Sequence, residues 1–195
     1  MKARPVWSVF FGLAAAIVIV DQLVKAWIVS MIDPGERIEI IGDLVRLIHT
    51  QNSGAVFGLF RENALLFGAL SIAVVGLIVL YHGRSPRSVF LSTTLGLLLG
   101  GAVGNLIDRL RLGHVVDFVD AGIGGLRFYT FNVADAAISA SILLLIVLAF
   151  RPSLAGSPPT GAAIGTGSGA GGGSDADAAL PDAARPDAAE PEGPA

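Results

Sequence analysis

Three short stretches follow one another between two long apolar runs: Gly104-Asn105-Leu106-Ile107-Asp108-Arg109, Val115-Val116-Asp117-Phe118 and Phe131-Asn132-Val133-Ala134-Asp135. They bring three carboxylates, Asp108, Asp117 and Asp135, to one face of a membrane. An aspartate at the centre of a span costs roughly 2.5–3.5 kcal/mol on insertion scales, so acids at the edge of hydrocarbon mark function unless they are paired for structure. Two aspartates that approach closely share one proton, the arrangement that activates water in aspartic proteases.

Asp117 and Asp135 form the sharpest pair. Asp117 lies between Val116 and Phe118 in an extended stretch, and Asp135 lies in the first turn of a helix, where the positive end of the helix dipole favours its anion. Asp21 and Lys25 stand at i and i+4, on one helix face. They read either as a self-neutralised pair that tethers the first helix or as a polar wall of the same site. Arg109 ends a helix; it either snorkels to headgroups or holds a carbonyl or carboxylate, with Asp108 holding Arg109 in turn.

Other chemistries find less support. The chain has no cysteine, which removes disulfides, thiolate metal sites and cysteine nucleophiles. A Ser–Lys dyad would need Lys25, because Lys2 lies at the opposite face, and no Gly-x-Ser-x-Gly elbow is present. His49, His82 and His114 lack zinc spacing and read as surface or interface residues. There is no phosphate loop, no dinucleotide fingerprint and no basic stripe suited to nucleic acid. Neither a cofactor nor a metal is expected. A small proton- or cation-coupled transporter using Asp21, Lys25 and Asp135 as a relay is the alternative function. It fits less well, because the ionisable groups crowd one face and helix 2 carries only Ser71 inside it.

The elements that must position these residues are hydrophobic. Apolar residues make up 53% of the 195-residue chain, and mean hydropathy is +0.70. Apolar runs at 6–29, 64–80, 89–107 and 133–150 predict four transmembrane helices in one domain, 1–151. The start of the chain superficially resembles a secretory signal, but its apolar run continues past Ala16 to Val20, so an uncleaved first helix is expected. Lys2, Arg4, Arg84, Arg87 and Arg151 flank the spans on one side, which predicts cytoplasmic termini and places the carboxylates at the extracytoplasmic face.

The connection at 31–63 is more than linker. Arg37-Ile38-Glu39-Ile40 and Val45-Arg46-Leu47 alternate polar and apolar around a Gly42-Asp43 turn, the period of strands, and Leu126–Phe131 adds a strand from the 3–4 loop. The fold class expected is a mainly α membrane protein, a four-helix bundle with a small extracytoplasmic β-sheet. Gly96, Gly100 and Gly104 recur every four residues on helix 3, a small-residue stripe for close helix packing. Charge divides unevenly: through Arg151 there are 12 Lys and Arg against 10 Asp and Glu, whereas beyond it Arg185 stands against six acids. Residues 152–195 are therefore read as a disordered acidic tail rich in Ala, Gly and Pro.

Taken in order across four spans, Asp21-Gln22-Leu23-Val24-Lys25, Asn52-Ser53-Gly54-Ala55-Val56-Phe57 and the three stretches above closely resemble the lipoprotein signal peptidases (signal peptidase II). The resemblance covers residues 6–150 and departs at no motif position. It implies a bacterial inner-membrane aspartyl endopeptidase that cuts prolipoproteins just before a diacylglyceryl-modified cysteine. Its partners would be those substrates and membrane lipid, and the enzyme would act as a monomer. It also implies that Asp117 and Asp135 are catalytic, that Asp21, Lys25, Asn52, Gly54, Asn105, Asp108, Arg109, Asn132 and Ala134 shape the site, and that a mobile segment lies near 52–60.

Overall fold

The computed structural model of the chain describes residues 5–53 and 64–156, with no side-chain detail for 64–67. Gly54, most of the 52–60 segment and residues 157–195 lie outside these. Four helices run α1 (Trp7–Met31), α2 (Ala64–Arg84), α3 (Val89–Leu112) and α4 (Val133–Phe150), followed by a 3₁₀ turn, Pro152–Ala155. Each of the first three extends past its apolar run. Interfacial polar residues do not break a helix, and α3 stops only where Gly113 takes a left-handed conformation (φ 75°) and its N–H bonds Arg109 O at 3.2 Å. At its start, the Ser88 hydroxyl accepts the Leu91 N–H at 3.1 Å and itself donates to Leu154 O at 2.5 Å, which ties the 3₁₀ turn to the 2–3 loop.

Helix α3 is the central member of the bundle and packs against α1, α2 and α4. Over half of its apolar window is buried, against 17% for α1 and α4, whose outer faces show side chains such as Phe11, Ile19, Leu23, Leu143 and Val147. That division suits helices surrounded by lipid, where no outward residue needs water. Among the described residues α1, α3 and α4 are long and apolar enough to cross a membrane, and Gly68–Arg84 of α2 forms a shorter apolar helix.

The glycine stripe faces α1. A Cβ on Gly96 would stand 2.8 Å from Phe10 O, one on Gly100 2.7 Å from Ile17 Cβ, and one on Gly104 2.8 Å from Asp21 Oδ2. Gly101, one position from the stripe, serves α4 instead: its Cβ would collide with Ala134 O and lie 2.6 Å from Ile138 Cγ1. Adjacent glycines thus admit two different helices to the same level of α3.

The sheet is antiparallel, in the order β1 (Arg37–Ile41), β2 (Val45–Asn52), β3 (Val115–Ile123), β4 (Leu126–Arg127). The 3–4 loop contributes two strands where the sequence suggested one. The segment beside β2 is β3, and the short Leu126–Arg127 strand pairs on the far side of β3. The run Val115–Ile123 is mostly apolar and buried on both faces over its first half, so it lacks the alternation that marks a half-exposed strand. Ile28, Ile32 and Phe118 form a small core between the end of α1 and the sheet, with Leu47, Val119 and Val133 against it.

Gly101→Ala is expected to lower stability by about 1–3 kcal/mol through overpacking against α4. Gly76→Ala, with nothing within 4 Å of its Cβ, serves as the control. Thermal unfolding of the purified variants in detergent checks this; equal midpoints would show that the close approach at Gly101 does not matter.

Candidate active site

The site grows from the second half of α1. Asp21 and Lys25 are 0% and 3% exposed, so an unpaired charge here would be costly. The Lys25 ammonium has three donors and meets three acceptors: Asp21 Oδ2 at 2.8 Å, Asp108 Oδ2 at 2.8 Å and Asn105 Oδ1 at 3.2 Å. The i,i+4 pair is formed, but as part of a triad that reaches α3.

Both acids of the triad carry a second task. Asp21 Oδ1 accepts the Ala134 N–H at 2.9 Å and so satisfies a free donor in the first turn of α4, 113 residues away. Asp108 Oδ2 accepts the Val116 N–H at 3.2 Å, next to Asp117. Asp108 therefore holds β3 and Lys25, whereas the sequence reading had it holding Arg109. Geometry decides this: Asp108 points inward, 3% exposed, while the half-buried Arg109 folds back to Asn105 O at 3.3 Å. The charge of Arg109 is felt most by Asp135, then Asp117, then Asp108.

Gln22 was not singled out from the sequence, yet its Nε2 donates to Asp108 Oδ1 at 2.9 Å and approaches Gly104 O at 3.3 Å. A carboxamide inside an apolar span was the available signal. Thr50 was missed too; its hydroxyl donates to Asp117 O at 2.9 Å and steadies β3 from β2.

The two aspartates meet around Asn132. Its side-chain oxygen accepts the Asp135 N–H at 2.9 Å, and the Asp135 carboxylate returns to the Asn132 N–H at 3.3 Å, a reciprocal cap on α4. The same carboxamide donates to Asp117 Oδ1 at 2.7 Å. Asn105 donates to Asp135 Oδ1 at 2.8 Å, while its oxygen accepts from Asn132 at 3.1 Å. Asn52 donates to Asp117 Oδ2 at 3.0 Å. Each aspartate is thus gripped at both carboxylate oxygens.

Asp117 is 1% exposed, and burial pushes its carboxyl up to about 6. The Asn52 hydrogen bond opposes that rise, the nearby Asp135 charge adds to it, and Asn132 and Lys25 oppose it further. A carboxyl that keeps its proton to pH 6 beside a second, less buried carboxylate is equipped for acid–base work on water and a carbonyl.

Of the residues singled out from the sequence, the structure gathers Asp21, Lys25, Asn52, Asn105, Asp108, Arg109, Asp117, Asn132, Ala134 and Asp135 here; Gly54 lies outside the described residues. The histidines stand apart. His49 and His82, read from the sequence as surface or interface residues, are buried, His49 against Ile32 O at 2.9 Å and His82 stacked on Phe10 and bonded to Ser92 at 3.0 Å.

The family model described as signal peptidase (SPase) II matches residues 13–151. The lipoprotein signal peptidase of Geobacillus kaustophilus is 39% identical over 142 residues, 72% of this chain and 92% of that protein. The one from Moorella thermoacetica is 39% identical over 70% and 89% of the respective chains. A solved bacterial membrane enzyme superposes with a TM-score of 0.72 at 28% identity, covering 78% of this chain and 94% of that one.

Because Lys25 serves two acids, Lys25→Met is expected to destabilise by about 3–5 kcal/mol, more than Asp21→Asn, which leaves Lys25 its Asp108 partner. A double-mutant cycle by thermal unfolding reads the coupling; additive effects, or a larger loss for Asp21→Asn, would count against the triad.

Proposed function

The chain belongs to the signal peptidase II family, bacterial membrane peptidases, and on that premise we propose that it removes signal peptides from prolipoproteins as an aspartyl endopeptidase, cutting before a diacylglyceryl-modified cysteine. The observation that carries this reading is Asn132, which binds the buried Asp117 carboxylate and caps the helix turn that presents Asp135. In this scheme Asp135, at the dipole-favoured start of α4, takes a proton from water as the water oxygen attacks the scissile carbonyl. Asp117, holding the shared proton, gives it to the carbonyl oxygen. Collapse of the tetrahedral intermediate then breaks the C–N bond: the proton on Asp135 passes to the departing cysteine amine, and one hydroxyl proton returns to Asp117 as the new carboxyl forms.

Arg109 offsets the charge of the pair, and the acids of the Lys25 triad fix the two elements that carry it, α4 and β3. The proposal places the enzyme in the inner membrane with cytoplasmic termini and an extracytoplasmic site, acting as a monomer on substrates delivered through lipid. The transporter reading gains nothing from the relatives.

Asp117→Asn and Asp135→Asn are each expected to lower cleavage of a diacylglyceryl prolipoprotein by about 10³-fold or more while the protein still inserts and binds substrate. Turnover near wild type by either variant would overturn the assignment.

The pH profile carries a second expectation. Asp117 sits above its ordinary value, so the proton required on the pair is present at low pH and lost as pH rises through the upper apparent value of the dyad. In substrate-free enzyme, kcat/KM should therefore fall on the alkaline side from about pH 6. Asn52 holds that value down, so Asn52→Ala should move the alkaline limb upward by roughly one unit, the worth of a hydrogen bond to a charged group. A limb that stays in place or moves down would remove Asp117 from the acid role.

A further inference from the structure

The sheet carries a set of side chains that the site does not use. Register places Ile38 opposite Leu47, Ile41 opposite Val45, Val45 opposite Ala121, Leu47 opposite Val119, and Ile123 opposite Leu126. Cross-strand partners share a face, and alternation along β3 joins Val119, Ala121 and Ile123 on it. The other face carries charge: Glu39 lies opposite Arg46, and Arg46 opposite Asp120. There Asp120 accepts from Arg46 Nη2 at 2.6 Å and Arg127 Nε at 2.9 Å, and the two guanidiniums, Arg127 foremost, hold its carboxyl below the usual range.

The apolar face continues past the active site. Ile38, Ile41, Ile123 and Leu126 are 46%, 59%, 75% and 84% exposed, and Phe128 follows at 69%. The β1–β2 and β3–β4 turns lie at the same end of the antiparallel sheet and are bonded to each other. Gly122 N–H donates to Leu44 O at 2.9 Å, and Gly124 N–H to Asp43 Oδ2 at 2.7 Å. They form one tip, whose large exposed side chains are almost all aliphatic. A surface of this kind facing water is unusual in a folded protein.

Its direction follows from Leu47 and Val119. Both lie on this face and pack against the core of Ile28 and Ile32 at the end of α1, so the face looks toward the membrane domain. The lipid boundary also reaches this level: α1 still exposes Trp27, Val29 and Met31 just before the chain enters the sheet. The apolar surface is thus continuous from the spans to the tip.

We propose that the sheet tip, with Ile41, Leu44, Ile123 and Leu126, is bedded in the acyl region of the leaflet on the active-site side. The sheet is then an in-plane anchor, with its Arg46–Asp120–Arg127 face toward water. The inference rests on membrane embedding and not on the peptidase chemistry.

The cysteine-free chain makes the test direct. Single variants Leu126→Cys, Ile123→Cys and Glu39→Cys of the full chain are nitroxide-labelled and reconstituted in phosphatidylethanolamine–phosphatidylglycerol vesicles. Collision with lipid-soluble oxygen is compared with collision with a water-soluble nickel chelate. The oxygen-to-nickel ratio is expected to be several-fold higher at 126 and 123 than at 39. Equal ratios would show a water-exposed tip and overturn the proposal. Label–label broadening that disappears on dilution with unlabelled protein would assign the face to a second copy, and a label reached by neither reagent would show protein cover; both overturn it.

Discussion

An ammonium removed from water at a membrane face is stable only where fixed oxygens replace its hydration, and Lys25 draws those oxygens from two helices. Asp21 shares its own helix, while Asp108 and Asn105 come from α3. The acids then reach outward, Asp21 to the first turn of α4 and Asp108 to the backbone of β3. One cation thereby fixes α1, α3, α4 and the strand bearing Asp117 to a common level. The glycines of α3 make this possible, because Asp21 enters through the gap beside Gly104 and α4 approaches over Gly101.

Above this plate, two carboxamides do what charges cannot. Asn132 and Asn105 each present a donor and an acceptor, so they bridge Asp117 and Asp135 without adding charge that would settle both aspartates in the ionised form. A lysine in place of Asn132 would pull the Asp117 carboxyl down and weaken its hold on a proton. Neutral partners leave burial in control, and burial raises Asp117.

The sequence reveals those parts of the molecule governed by local pattern. Span positions follow from continuous hydrophobicity, the Asp21–Lys25 pair from helical periodicity, and the first hairpin from alternation around Gly42. Partner choice across long separations escapes it. Whether Asp108 turns to Arg109 or to Lys25 depends on the azimuth at which α1 meets α3, which no spacing encodes. The place of β3 at the centre of the sheet is hidden for a related reason: burial on both sides of its first half erases the period that identifies a strand. Gly101, one position off the small-residue stripe, shows no role until α4 is seen against it. Gln22 is obscured by its neighbours Asp21 and Lys25, whose charges draw attention first.

The position of Asp21 and Lys25 on a single helix has a consequence for the order in which the protein is made. Translation delivers α1 to the bilayer long before Asp108 and the Ala134 N–H exist to receive its charges. During that interval the pair at i and i+4 can neutralise itself within one nascent span, so the first helix enters lipid without a net charge. As the later spans arrive, Lys25 exchanges solitary pairing for the full triad. The last contact to form, with α4, is also the one that brings the residue capping Asp135 into place. Assembly of the four helices and completion of the candidate site are therefore a single event, and a ribosome-bound intermediate lacking α4 holds only part of it.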